Sequence, residues 1–335
     1  MPSISATLAR FRVDPYILVL FAAIGVATLL PASGGAAVGL GYVTKVAIGL
    51  LFFLYGARLS PQAALEGLRH WRLHLVILVA TFVLFPLLGL ASGVLVPAGV
   101  LTEPLYVGLV FLCALPSTVQ SSIAFTSLAK GNVAAAICAA SFSNLVGVLL
   151  TPLLVALLLS TSGGGFSLGS VVDILVQLLV PFLLGQLVRR WIIDWVQRHK
   201  KVLGLLDRGV IVLTVYAAFS EGMVAGIWHQ LSVGRLLLLL LVNAVLLAAV
   251  MAATGLGGRW LGFSREDRIA IVFCGSKKSL ASGLPMATVL FAGQSVGLIV
   301  LPLMLFHQMQ LMVCAWLARR YAATAAPERQ PELHH

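Results

Sequence analysis

Only 10% of the 335 residues are charged, where an ordinary soluble domain carries about 25%. Hydrophobic residues make up 60%. A soluble core of this length cannot bury so much apolar surface, but a bilayer can, so the composition reads as a polytopic membrane protein. Cysteine is scarce as well. Cys113, Cys138, Cys274 and Cys314 all lie in apolar segments, and no CxxC or Cys/His cluster joins them. That pattern argues against a disulfide framework or a zinc site. HExxH, Walker A and GxGxxG motifs are missing from the sequence. "GQSVG", Gly293 to Gly297, has the outline of a nucleophile elbow. It falls at a turn between two apolar runs, without the strand-turn-helix setting that chemistry needs, and reads as a chance match. The chain is accordingly read as a non-enzyme without cofactor or metal.

The charge that is present is mostly positive, with a net value of +11. The basic residues form short runs between apolar segments rather than one soluble face, which fits membrane topology and not nucleic acid. A helix crossing the ~30 Å hydrocarbon core needs about 20 apolar residues. Runs punctuated by Gly, Pro and charge give ten candidates, at 16–32, 38–56, 73–96, 104–128, 133–159, 171–188, 209–228, 236–256, 269–292 and 296–318. With the N-terminus inside, 18 of the 22 Lys and Arg residues fall on the inner side, among them Arg10, Arg12, Arg58 and the run 189–201. "VPAGVLTEP" and "STSGGGFSLGS", on the outer side, hold none. This asymmetry predicts both termini in the cytoplasm and a multi-pass protein of the cell (plasma or inner) membrane. Arg10 and Arg12 before an apolar run also resemble a signal peptide. A retained first helix accounts better for the charge distribution.

Ten spans divide into five and five. An odd number per half makes the second half enter the membrane inverted, as in many secondary transporters. The expected layout is a cytoplasmic segment at 1–15, a first repeat at 16–159, an outer connection at 160–170, a second repeat at 171–318 and a cytoplasmic tail at 319–335. The fourth span of each half carries an interruption. In the first, Pro116 is followed by Ser117, Thr118, Gln120, Ser121 and Ser122; in the second, Gly275 is followed by Ser276, Lys277, Lys278 and Ser279. Unwound backbone at membrane depth is tolerated where it is buried in protein or lines a cavity. The two breaks are therefore expected to cross near the middle of the protein.

Lys277 and Lys278 are the sharpest signal. Nine residues of helix beyond Arg268 rise about 13 Å, which puts Lys277 near the midplane. A charge there costs at least about 2.5 kcal/mol and is usually functional. The serines carry less weight, because Ser and Thr in membrane helices also bond their own i−4 carbonyls. Ser141, Ser143 and Asn144 in the fifth span, and His307, Gln308 and Gln310 in the tenth, suit helix packing as well as ligand binding. Glu221 sits in the outer part of the seventh span, where it either meets a lysine or faces outward.

The broken fourth and ninth spans, "LAKGN" at Leu128–Asn132, "TP" at Thr151–Pro152, "LPSTVQSS" and "CGSKKSLASGLP" together resemble the bile acid:sodium symporter family. The similarity is greatest to its SBF-like branch, the member-seven-like group of solute carrier 10. It covers about residues 15 to 320. It implies ten helices in two inverted five-helix repeats, a core domain around crossed broken helices 4 and 9, and a smaller panel domain. It also implies a sodium site near the crossing in sodium-coupled members. Ser121 and Ser122 match that site loosely, and the spacing differs. Phe273 or Cys274 stands where an acidic residue is expected, Lys277 and Lys278 stand at a Gln–Asn pair, and Ala136 and Ala140 replace hydroxyls.

The reading that results is a secondary transporter for a small organic anion, seated in a lipid bilayer, with alternating access around a midplane site. The binding residues expected are Thr118, Gln120, Ser121, Ser122, Asn144, Ser276, Lys277, Lys278, Ser279, His307 and Gln308. A fixed ammonium beside a sodium ion would repel it by several kcal/mol at a few Å for an effective dielectric of about 20. The cycle is thus expected to be sodium-independent or proton-linked. The rival is a membrane regulator of ion entry that does not itself transport.

Overall fold

Every element in the computed structural model is helical among the residues it describes, which are 15–58, 70–160, 168–224, 226 and 232–324. In chain order the helices are α1 (Pro15–Leu29), α2 (Gly34–Arg58), α3 (Trp71–Leu95), α4 (Glu103–Ala114), α5 (Val119–Leu128) and α6 (Val133–Ser160). They continue with α7 (Leu168–Arg198), α8 (Lys200–Val224), α9 (Val233–Trp260), α10 (Arg265–Gly275), α11 (Leu280–Leu290) and α12 (Val296–Ala323). Most of the expected outer connection at 160–170, Arg10, Arg12 and the end of the tail lie outside the described residues.

By length and apolarity, α2, α3, α6, α7, α8, α9 and α12 can each cross a membrane, seven in all. The pair α4–α5, bent by 62° at its break, makes up to eight. That is fewer than the ten runs of the sequence reading, for local reasons. The apolar stretch described in α1 is Leu18–Leu29. Each of α10 and α11 is 11 residues long, and α10 opens with Arg265, Glu266, Asp267 and Arg268.

One expectation needs correcting. The spans expected at 171–188 and 209–228 leave the basic run 189–201 as a connection, yet α7 continues through it to Arg198, and His199 alone separates α7 from α8. No Gly or Pro interrupts this run, so nothing in it stops a helix. The turn is closed by His199, whose Nδ1 lies 2.8 Å from the Trp195 carbonyl.

The two breaks have different causes. Pro116 lacks an N–H and drives the residue before it out of the helical region; Leu115 has φ −72° and ψ 153°. The second break follows Gly275, and Ser279 restarts the chain as an N-cap, its Oγ accepting from the Ser282 N–H. The α10 N-terminus is capped in the same way by Ser264, with Glu266 and Asp267 in the first turn, where a helix favours negative charge.

Close backbone approaches hold the helices in place. A Cβ on Gly56 of α2 would lie 2.0 Å from the Phe182 carbonyl oxygen of α7, and one on Gly185 of α7 would lie 2.0 Å from that of Phe53. Likewise α4 meets α12 at Gly108, whose Cβ would lie 2.3 Å from the Ile299 carbonyl oxygen. Helix α1 packs along α8, while α10 packs on α3, α5, α6 and α9. Among the largest fully buried side chains are Phe52, Phe85, Phe111, Phe273, Phe291 and Phe306, together with Lys277 and Lys278.

Candidate functional site

The two breaks meet. The Ser279 N–H of the second donates to the Pro116 carbonyl of the first at 2.9 Å. Hydroxyls of the first break reach back to the second: Ser117 Oγ donates to the Cys274 carbonyl at 2.6 Å, Thr118 Oγ1 to Lys278 at 2.7 Å and Ser122 Oγ to Phe273 at 3.1 Å. Carbonyls left without helical partners by each interruption are thus taken up by the other segment. Glycines let the flanking helices close in. A Cβ on Gly147 of α6 would lie 2.6 Å from the Pro116 ring, and one on Gly283 of α11 would lie 2.6 Å from Leu115.

The helix after each break supplies a clamp. Ser143 Oγ of α6 accepts from the Ser117 N–H at 3.1 Å. Gln310 of α12 accepts from the Lys278 N–H through Oε1 and donates to the Lys278 carbonyl through Nε2, both at 2.9 Å. The N-termini of α5 and α11 both begin at this crossing, so two positive helix ends face one another there.

Both lysines are fully buried, but they are held differently. Lys278 Nζ donates to the carbonyls of Thr81 at 2.8 Å, Cys113 at 2.7 Å and Leu115 at 2.6 Å, and lies 4.1 Å from the Phe85 ring centroid. These bonds use all three of its donors. Lys277 Nζ has one long bond, 3.4 Å to Ser121 Oγ, and rests over the Phe125 and Phe273 rings at 4.2 and 5.5 Å. Lys278 is a fixed cation built into the break, and Lys277 is a cation held chiefly by aromatic faces.

Of the remaining expected residues, Asn144 Oδ1 accepts from Ser282 Oγ at 3.0 Å beside the Ser279 cap. Ser276 bonds the Val272 carbonyl of its own helix at 2.6 Å, which is the ordinary membrane-helix role of a serine. His307 enters indirectly, its Nδ1 lying 2.9 Å from Gln310 Nε2. Gln120 is exposed, and Gln308 is only partly buried; neither joins the contacts at the crossing. Sequence alone gives no sign of Thr81, Phe85 or Phe125, places Phe273 only where an acidic residue is expected, and leaves Gln310 open between helix packing and ligand binding. Thr81 lies in a π-helical stretch of α3, Ala80–Leu84, and such stretches are frequent at functional sites. The two contributing carbonyls on α4 carry no side-chain signal at all.

A separate cavity of about 600 Å³ opens at the end of the molecule that carries the α1–α2 and α11–α12 turns. Its polar lining includes Thr44, Lys45, Gln177, Ser220, Glu221 and Thr288, between apolar walls from α2, α8 and α11. Thr44 Oγ1 and Ser220 Oγ are buried without hydrogen-bond partners. Glu221 therefore shares a cavity with a lysine, but the lysine is Lys45 rather than Lys277 or Lys278. Among the described residues no group of three or more His, Cys, Asp or Glu side chains could hold a metal ion.

Comparison with known proteins places this geometry in a family. The chain is 58% identical over 316 residues to PA2026 of Pseudomonas aeruginosa, covering 93% of this chain and 94% of the relative. It is 52% identical over 313 residues to YfeH of Escherichia coli, a protein given the provisional name of a symporter, covering 93% and 94% of the two chains. Sodium/bile acid cotransporter 7 of Rattus norvegicus is 30% identical over 311 residues, covering 91% and 92%. The family model matches residues 14–323. With a family model matched over nearly the whole chain and relatives matched along almost their full length, the chain belongs to the SBF-like CPA transporter family.

Proposed function

We propose that this protein is a ten-span secondary transporter that carries a small organic anion across the cell membrane by alternating access around the crossing, and that it does so without sodium. The observation that carries the reading is Lys277, a fully buried cation with one long hydrogen bond, at the meeting point of two broken helices. A cation that the fold does not saturate, beside two helix N-termini, favours an anionic substrate. Lys45 gives the separate cavity at one end a positive group of its own.

Counting α4 with α5 and α10 with α11 gives ten spans, five in each half. Two relations support an inverted repeat at 16–159 and 171–318. Helix α2 packs on α7 and α1 packs on α8, which are the same pairing with the halves exchanged. Each break also has a main-chain N–H clamped by a side chain of the following span, Ser143 in one half and Gln310 in the other. The distribution of basic residues favours cytoplasmic termini.

The relative from Rattus norvegicus is named a sodium/bile acid cotransporter. Cotransport fits this chain; sodium as the coupling ion fits it poorly, because the crossing already holds two ammonium groups. Of the two lysines we assign any proton exchange to Lys277, because three carbonyl acceptors stabilise the charged form of Lys278. Near Lys277 stand Ser121, Phe125, Phe273 and the thiols of Cys274 and Cys314.

A thermal-shift screen of carboxylates and sulfates on purified protein, with and without sodium chloride at constant ionic strength, tests this reading. At least one organic anion is expected to raise the melting temperature saturably without sodium, and Lys277→Gln to abolish that shift. A shift that occurs only in sodium contradicts sodium independence, and shifts confined to organic cations contradict the substrate class.

A further inference from the structure

We propose that the backbone around Lys278 is a monovalent-cation site in its own right, filled in this protein by the lysine's own ammonium, and that shortening the side chain opens it to a free primary ammonium ion. The inference rests on geometry and does not need the transport reading. Three carbonyl oxygens, of Thr81, Cys113 and Leu115, surround Nζ at 2.6–2.8 Å, and the Phe85 ring closes one side at 4.1 Å.

None of these groups depends on Lys278 for its position. Cys113 and Leu115 lie at the C-terminal end of α4, where the last carbonyls of a helix have no partner within it and carry partial negative charge. Leu115 is turned outward by the proline that follows it. Thr81 belongs to the π-helical stretch of α3, where the backbone pattern is already displaced. Phe85 is held edge-to-face against Phe306, with centroids 6.0 Å apart and planes at 76°. Removing the lysine stem therefore leaves the oxygens and the ring where they are.

The chemistry of the cage selects its occupant. Carbonyl oxygens that replace a hydration shell suit monovalent cations. Three acceptors beside a ring face suit an ion with N–H donors and a positive charge to place over the ring. In Lys278→Ala the missing fragment is n-propylammonium itself, so that ion restores both the cation and the apolar stem. A tetramethylammonium ion has the charge but no donors, and it is too bulky for the cage.

The test is thermal unfolding of the purified full chain in chloride salts of n-propylammonium, ammonium and tetramethylammonium at one ionic strength. Wild-type protein should melt at the same temperature in all three. Lys278→Ala should melt several degrees lower in tetramethylammonium and recover saturably in n-propylammonium, with partial recovery in ammonium. Lys278→Met, whose own stem fills the space, should melt lower and not recover in any salt. If Lys278→Ala can be isolated only when n-propylammonium is present throughout, that too supports the site. The proposal is overturned if Lys278→Ala melts with the wild type, if tetramethylammonium restores it equally, or if n-propylammonium fails to recover a folded or more stable chain.

Discussion

Lys277 and Lys278 are neighbours in the chain with opposite degrees of satisfaction. Lys278 spends every donor on main-chain oxygens, while Lys277 has one long bond to Ser121. A buried carbonyl left without a donor costs about 1–3 kcal/mol, so Lys278→Gln should lower stability clearly more than Lys277→Gln; equal melting temperatures for the two variants would count against this division. Gln310→Leu removes both bonds to the Lys278 backbone and should destabilise by about 1–3 kcal/mol for the buried groups it strands, measurable by the same unfolding assay. The lysines were legible in the sequence because charge at membrane depth is rare. Their partners were not. A carbonyl has no letter of its own, and Phe85 or Phe125 looks like any lipid-facing phenylalanine.

Helix existence was largely legible, since apolar runs of the right length leave few alternatives in a bilayer. The continuation of α7 through residues 189–198 was not, because a run of basic residues between two apolar stretches suggests a connection although nothing there breaks a helix. Helix packing was also hidden, because glycines at close approaches look like glycines elsewhere. Gly185→Ala would place a Cβ 2.0 Å from the Phe53 carbonyl oxygen, whereas Gly49, in the same packed helix α2, has nothing within 4 Å of its Cβ position. Backbone cannot yield as a side-chain tip can, so Gly185→Ala should sharply reduce the yield of folded protein. Gly49→Ala should be neutral or stabilise by up to about 1 kcal/mol, the difference in helix propensity. Size-exclusion profiles and melting curves of the two variants compare them directly; indistinguishable behaviour would contradict the α2–α7 contact.

At the scale of the whole molecule, the proposed orientation of each end rests on the basic residues alone. In a Cys-free background, Gln197→Cys near the end of α7 should resist membrane-impermeant thiol reagents in sealed cells and react once the cells are opened; strong labelling of intact cells would reverse the proposed orientation. The transport claim itself reduces to whether a buried ammonium can serve where a coupling cation otherwise would. Uptake of a labelled organic anion into proteoliposomes, in buffers free of sodium and over a range of pH, measures this most directly. Accumulation should persist without sodium, vary with pH and lose that pH dependence in Lys277→Gln. Accumulation that strictly requires sodium, together with saturable sodium binding to the wild-type protein, would contradict that claim.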